Sequence, residues 1–574
     1  MQALRALLGS PFARNPGLIG RRLAARLRLF REDVPAPVAP VSKVVYPAHW
    51  GTSLHEWIRQ VPLSPTLLPF GRVFGRDFDE TLLLRLCREG PSRAEAGLTT
   101  DIKLIWDYSR GHALFTNAAS APERVGESVA FLRRWLEANS DTTGRNWTCA
   151  MEVSIRATNW IFADVLAAGE LGRRFGEAEW AAWLWRHGWL IWRRLEAKVR
   201  SSSNHYLADL LGLIVVGCLF PGDARARAWL RFAQLEFPQA LLAQTRGDGG
   251  LDEASLRYHA FVTEMALLAR LAGGEVWPGE SESRLRAMCR IVANFRDASG
   301  DLFAFGDDDS GRVLAVDFAS NMGRAEALLR LAAVVMGEEF KPAREALCAD
   351  SGWWVRRSGG FTVALEFGGV GLRGKGSHAH NDDLSFILEW QGRPVVVDSG
   401  TFNYTCDPAA RDRFRSTLAH NTVVVGGLEQ RSLREGLFLM RGRDAAWPAR
   451  ETADGGWTFT RDAGAGVSHC REINVPAEGV NIRDIIGGSG PRQMEWRFHL
   501  HPTLDARVTA RGFVVSIPGV GEMEWQTDGE GLSFEVGPSE YSPTYGTSQA
   551  SRVCMARGRL MLPATVEWNF RVRP

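Results

Sequence analysis

A chain of 574 residues is several times the roughly 100–200 residues of one domain, so at least two substantial bodies are expected. Its 68 basic and 66 acidic residues leave a formal charge of +2, which excludes a nucleic-acid binder working through bulk positive charge and a polyacidic tail. With 45% hydrophobic and 23% charged residues the composition is globular; the two biases are 21 Trp and a basic set of 63 Arg against five Lys.

The first 44 residues read as a basic arm and linker: Arg14, Arg21, Arg22, Arg26 and Arg28 interrupt every apolar stretch, so no signal peptide is expected, and a Pro-rich run over 34–40 follows. The longest apolar stretch, 210–220, is shorter than the ~20 residues that cross a bilayer. A soluble chain without stable membrane insertion is expected, cytoplasmic on sequence alone. The eight cysteines form no CxxC pair and no short-spaced framework, which argues against a zinc ribbon or a disulfide scaffold.

Over 45–350 apolar residues recur at helical spacing, and helices are predicted at 130–138, 151–168, 179–199, 204–219, 224–242, 251–271 and 284–296. This run of helical hairpins, holding 13 of the 21 Trp, predicts an all-α ring or solenoid. Over 351–574 the period shortens, and strands are predicted at 361–367, 384–390, 394–397, 422–425, 457–460, 479–486, 494–500, 513–517, 532–536 and 564–572. Gly pairs 426–427 and 487–488 read as turns between them, and the whole as an antiparallel β-sandwich or related all-β domain.

Chemistry concentrates in GSHAHNDDLSFILEWQGRPVVVDSGTFNY, from Gly376 to Tyr404, and in RFRSTLAHNTVVVGG, from Arg413 to Gly427. His380, Asp398 and His420 fall at strand ends that neighbouring strands could bring together, and two imidazoles with one carboxylate suit zinc or a similar divalent ion. His378, two positions before His380, would share its face on an extended strand and offers a neutral-pH proton acceptor. In the helical half, Ser203, Asn204 and His205 open an apolar helix; capping explains the Ser but not the adjacent His. Asp252 and Glu253 read as an acidic helix start, with Tyr258 and His259 one to two turns inside.

Asn204 with His205, the ExSxxYH of Glu253, Ser255, Tyr258 and His259, and the GxHxHxDxxS string from Gly376 to Ser385 resemble the heparinase II/III superfamily of polysaccharide lyases. The DxG of Asp398 and Gly400 and the AHNTVxVGGxxQ from Ala419 to Gln430 add to this, and SPTYG at Ser542 to Gly546 is a weaker echo. The resemblance implies an incomplete (α/α) toroid followed by a C-terminal antiparallel β-sandwich. It also implies β-elimination on a uronate-containing polysaccharide (heparan sulfate, heparin, hyaluronan, chondroitin sulfate or alginate), leaving a 4,5-unsaturated uronate. Such chemistry must neutralise a carboxylate, remove the C5 proton and protonate the departing O4.

By that resemblance Asn204 and His205 would bind the carboxylate, Tyr258 would be the acid, and also the base for a same-face proton, and His378 the opposite-face base. Tyr404 is a second tyrosine candidate, and His380, Asp398 and His420 would hold a largely structural ion, zinc first, with manganese or calcium as alternatives and no organic cofactor. Substrate contacts are expected from Trp147, Arg156, Asn159, Trp160, Glu253 and Arg415, with Arg411 nearby, since sugar clefts use aromatic faces and arginines. The family's usual action on polymers points to a periplasmic or secreted setting, against the missing signal. A uronate C5-epimerase and a non-catalytic glycan binder are the alternatives. An inverting hydrolase is disfavoured, because Asp252 and Glu253 are the one obvious carboxylate pair and are adjacent.

Overall fold

A computed structural model describes residues 41–63, 68–92, 94–197, 203–274, 277–316, 322–464 and 466–573; the arm up to residue 40 lies outside them. The chain forms two compact units. One comprises the residues up to Thr245 with Ala260–Cys289 and Gly311–Phe340; the other comprises Arg246–His259, Arg290–Ser310 and the chain from Lys341 on. The single break expected at 350 is therefore replaced by several crossings. The reason is local: a strand already forms at Glu345–Cys348, and Asp248 accepts hydrogen bonds from the Asp350 and Ser351 backbone.

The first unit is helical. In chain order its elements are α1 (Ala48–Arg59), a small hairpin of β1 (Arg72–Val73) and β2 (Arg76–Asp77), α2 (Glu80–Glu89), α3 (Ile102–Ser109), α4 (His112–Ser120), α5 (Val125–Ala138) and α6 (Arg145–Thr148). Then come α7 (Ala150–Leu166), α8 (Glu170–Phe175), α9 (Glu177–Arg193), α10 (Asn204–Cys218), α11 (Ala224–Gln244), α12 (Leu256–Gly273) and α13 (Gly279–Asn294), of which the first turn of α12 and the last residues of α13 fall in the other unit, and α14 (Arg324–Met336). Side-chain caps start several of them: Asp79 accepts from Thr81 N, and Asp223 from Ala226 N. Every residue of α7 is buried, as is nearly all of α10, so neither helix presents a solvated face, and the polar side chains of α7 are buried with it. The predicted helices are all present, with shifted ends. The segment expected to begin at 251 starts at Leu256, because Ala254 takes a positive φ of 53° and breaks the turn before it.

The second unit is built on antiparallel sheets. β3 (Glu345–Cys348), β4 (Trp353–Ser358), β5 (Phe361–Glu366), β6 (Phe386–Trp390) and β7 (Arg393–Val396) form a five-stranded meander in that order. A short helix α15 (Pro408–Phe414) precedes β8 (Val423–Val425), β9 (Ala449–Glu451), β10 (Trp457–Gly464), β11 (Val467–Asn474) and β12 (Gly479–His499). β13 (Asp505–Thr509), β14 (Gly512–Ile517), β15 (Gly521–Thr527), β16 (Ser533–Thr544) and β17 (Thr547–Val572) complete a ten-stranded sheet, ordered β13-β14-β15-β17-β12-β11-β10-β9 with β16 on β17 and β8 on β12. Period-two alternation in β5 points Phe361, Val363 and Leu365 into one core with Trp354, Phe386, Trp496, Phe498, Trp525 and Trp568, so both sheets bury faces there. Gly487 and Gly488 are not a turn. They lie at a register shift within the single strand β12, where Gly488 takes φ 137°.

Candidate functional site

In the β-rich unit the site begins with a helix cap. Ser255 Oγ accepts from the Tyr258 backbone N–H at 3.1 Å and donates to the Asp307 carbonyl at 2.6 Å, which fixes Tyr258 in the first turn of α12. The Tyr258 ring stacks on His378 with centroids 3.9 Å apart, and its Oη lies 3.1 Å from Tyr404 Oη. Both phenols are buried. Desolvation, reinforced by the charges of Asp307 and Asp309, holds both well above the ordinary tyrosine range, so each stays protonated at neutral pH.

Asp307 is the hub, and nothing in the sequence reading singled it out. Its carboxylate faces His378 Nδ1 at 3.0 Å and His380 Nε2 at 2.8 Å, and accepts both terminal nitrogens of Arg411. Burial alone would raise its pKa, but Arg411 and the two imidazoles hold it well below the usual carboxylate range. The sequence clue is GDDDSG over 306–311, an acidic run between glycines. Gly306, at φ 69°, passes so close to the Ala254 and His378 carbonyls that a Cβ would overlap them. His378 and His380 share this carboxylate as expected of neighbours on one face, yet they do so from a loop rather than a strand. The other His378 nitrogen lies 3.4 Å from buried Glu253. Asp252 and Glu253 thus precede α12 instead of starting it: Asp252 pairs with Arg246 at 2.6 Å, and burial pushes its carboxyl up to about 6.

Tyr404 is seated by the SPTYG segment. Tyr545 Oη accepts the Tyr404 N–H at 2.8 Å, Ser542 N donates to Ser399 O, and Gly546 N donates to Phe402 O. The glycine of DxG is required here: Gly400 has φ 77°, and a side chain would overlap the Ser542 carbonyl.

His380, Asp398 and His420 offer three ligand atoms within 4.8 Å of one another, all buried. His420 Nδ1 meets Asp398 Oδ2 at 2.7 Å, while His420 Nε2 and His380 Nδ1 are buried without a hydrogen-bond partner. Two orphaned imidazole nitrogens beside a carboxylate fit a borderline divalent ion such as zinc. For His420, burial lowers the proton affinity but the Asp398 charge outweighs it and raises the pKa.

In the helical unit, Asn204 is the first residue of α10. Ser203 occupies the cap position without the capping hydrogen bond expected of its side chain. His205 Nδ1 contacts Glu196 Oε2 at 2.8 Å, which draws the Glu196 carboxyl down to about 2 against the effect of burial. The proposed sugar platforms are not surfaces. Trp147 and Trp160 are 1% exposed, and Arg156 and Asn159 are fully buried. Trp147 stacks on Trp183 and Trp160 on Trp180; Arg156 lies 4.4 Å over Trp147 and 4.7 Å over Trp135 and donates to His187, while Asn159 donates to the Ile155 and Val313 carbonyls. These four are packing residues, since a pyranose ring cannot reach an indole already sandwiched by its neighbours. Arg415, 1% exposed, is likewise committed to Asp412 and the Leu433 and Gly436 carbonyls. Arg411 belongs to Asp307. Of the expected substrate contacts, Glu253 touches His378, and Arg411 lies 4.9 Å over the Tyr404 ring.

Among the described residues no helix is long and apolar enough to cross a membrane. Residues 341–569 match the family model described as Heparinase II/III-like, C-terminal. In fold the chain is similar to the crystal structure of heparinase III, with a TM-score of 0.66 and 14% identity, over 100% of this chain and 93% of that one. It is also similar to a second heparinase III, with a TM-score of 0.58 and 15% identity over 100% and 92% of the two chains. Heparan sulfate lyase HepC from Pedobacter heparinus gives 0.54 and 16% over 91% and 88%. No curated protein matches the chain in sequence.

Proposed function

We propose that this chain, whose residues 341–569 form a heparinase II/III-like C-terminal domain, is a polysaccharide lyase that cleaves uronate-containing glycans by β-elimination. In this reading the helical unit is an incomplete (α/α) toroid and the two sheets form a β-sandwich. The observation that carries the reading is the buried Tyr258, stacked on His378 and 3.1 Å from Tyr404 Oη, with Asp307 on His378 Nδ1. An aspartate there fixes the imidazole tautomer, leaving Nε2 to take a proton and stabilising the imidazolium that results.

Elimination then divides among the residues as follows. Asn204 and His205 hydrogen-bond the uronate carboxylate and stabilise the charge that develops as the C5–H bond breaks. His378 takes the C5 proton when it lies opposite the leaving group. Tyr258, kept protonated by burial, delivers its proton to O4 as the glycosidic bond breaks. Where the proton lies on the same face, Tyr258 gives its own proton to O4 as it takes the C5 proton, so the phenol ends the step protonated, with Tyr404 as its hydrogen-bond partner. The Glu253 carboxylate restrains the His378 ring. His380, Asp398 and His420 would hold a divalent ion, zinc first, whose contribution is to cross-link the loops that carry His378 and Tyr404.

The test is a panel of heparan sulfate, heparin, hyaluronan, chondroitin sulfate and alginate, followed by the ultraviolet absorbance of the unsaturated product. The expected outcome is absorbance with at least one polymer, reduced about 10²–10⁴-fold in Tyr258→Phe or His378→Ala. Exchange of the C5 proton without absorbance would instead assign an epimerase, and binding without either reaction a glycan-recognition protein. Chelation is expected to lower the melting temperature of the wild type by more than that of a His380→Ala, His420→Ala double variant.

A further inference from the structure

The helical unit contains a second group of metal-type ligands, apart from the trio just described. Cys149, at the start of α7, Glu196, just after α9, and His205, on α10, offer ligand atoms that all lie within 4.8 Å of one another, and each is partly exposed. Among the described residues these are the two groups of this kind. Cys149 Sγ is 3.3 Å from Glu196 Oε1 and 3.9 Å from His205 Nδ1, and that nitrogen is 2.8 Å from Glu196 Oε2. Around a tetrahedral ion with Zn–S near 2.3 Å and Zn–N and Zn–O near 2.0 Å, ligand atoms stand about 3.3–3.6 Å apart. The carboxylate meets the thiol through one oxygen and the imidazole through the other, and the sulfur–nitrogen separation lies a few tenths of an ångström above that range, so small side-chain shifts would close the set. The chain segments that bring the three together are fixed independently: the Glu196 N–H donates to buried Asp209 at 2.6 Å, and Met151 N donates to the Glu196 carboxylate at 3.3 Å. His205 rides on α10, whose next residues are buried.

We infer that Cys149, Glu196 and His205 form a thiolate-containing site for a zinc-type divalent cation, with one coordination position left to water or an anionic oxygen. The chemistry differs from that of the β-rich trio. A site with sulfur selects softer ions, whereas two imidazoles and a carboxylate without sulfur accept harder ones. On binding, the Cys149 thiol loses its proton to solvent, so the ion replaces the hydrogen bond by which that thiol now donates to Glu196. Three protein ligands and an open position are the arrangement of a reactive or exchangeable zinc rather than a closed structural one. The inference does not depend on the lyase reading, although His205 takes part in both.

The test uses the full chain, kept reduced, stripped of metal and titrated with Co2+. Sulfur ligation adds a near-ultraviolet charge-transfer band that nitrogen and oxygen ligands do not produce, so the β-rich trio is silent in this window. The band is expected in the wild type and in His380→Ala, lost in Cys149→Ser, retained in Cys554→Ser, and bleached by one equivalent of Zn2+. Because Cys149 is partly exposed, its alkylation by iodoacetamide, followed by mass spectrometry, is expected to fall when Zn2+ is present. Absence of the band in the wild type, its persistence in Cys149→Ser, or alkylation of Cys149 unaffected by Zn2+ would each overturn the site.

Discussion

A single carboxylate, Asp307, links the expected base, the expected metal ligand His380 and the buried guanidinium of Arg411. Replacing it with asparagine keeps the shape but leaves Arg411 charged and uncompensated in the interior, a change that costs about 3–5 kcal/mol in comparable buried pairs. Asp307→Asn is therefore expected to lower the denaturation midpoint. Turnover should also fall about 10²–10⁴-fold, because His378 loses its orienting partner. Activity equal to the parent in a correctly folded variant would remove Asp307 from the mechanism. Why sequence reading passed over this residue is physical. His378, His380 and His420 stand out because imidazoles are scarce in the chain, whereas an aspartate in a Gly-flanked acidic run looks like a solvated loop until its burial is known. Trp147 and Trp160 err the other way: helical spacing is the same for a sugar platform and for an indole wedged between neighbours, and only the neighbours distinguish them.

The long strand β12 is pinned to β11 by another buried charge. Asp484 on β12 accepts from His469 and Arg471 on β11 and from Trp496 further along β12. Burial opposes its ionisation, yet Arg471 and His469 hold its pKa well below the usual range. The sign follows directly: a carboxyl whose folded pKa is depressed contributes stability above its unfolded value of about 3.9, and that contribution is lost as the pH falls below it. The stability of the parent is expected to drop progressively as the pH falls below about 4, and Asp484→Asn, already destabilised at pH 7, to show a shallower drop. Denaturant melts at several pH values measure both; equal slopes for the two proteins would refute the assignment. Element type was largely legible. Long helices announce their period, but β3, β4, β9, β11, β13 and β15 lie outside the expected strands: the shortest carry too few residues to show a period, and in β11 the polar Ser468, His469, Cys470 and Arg471 hide a buried face. The two halves of β12 looked like separate strands because a glycine pair serves a bulge as readily as a turn.

At the scale of the molecule, composition took on a more specific meaning. Arg156, Arg411, Arg415 and Arg471 are each at most 1% exposed, so part of the arginine excess lies in the interior, where a cation that keeps its proton can face indoles, carboxylates and loop carbonyls. Burial lowers even Arg156 to about 9. The division into units also bears on truncation. A fragment starting at residue 351 keeps every motif of the β-rich half that drew attention in the sequence, but loses β3, Asp248, Tyr258 and Asp307. Such a fragment is expected to melt without a cooperative transition in calorimetry, whereas the full chain melts sharply; a cooperative fragment would show that the early segments are dispensable.

The interleaved chain also has a consequence in time. Asp307 leaves the ribosome 104 residues ahead of Arg411, an interval of roughly 5–20 s at ordinary elongation rates. Throughout it the carboxylate that later becomes the hub lacks its guanidinium partner, although His378 and His380 emerge before Arg411 does. The N-terminal pieces of the β-rich unit therefore emerge before most of the chain they fold with, and the hub can be completed only once Arg411 has been made.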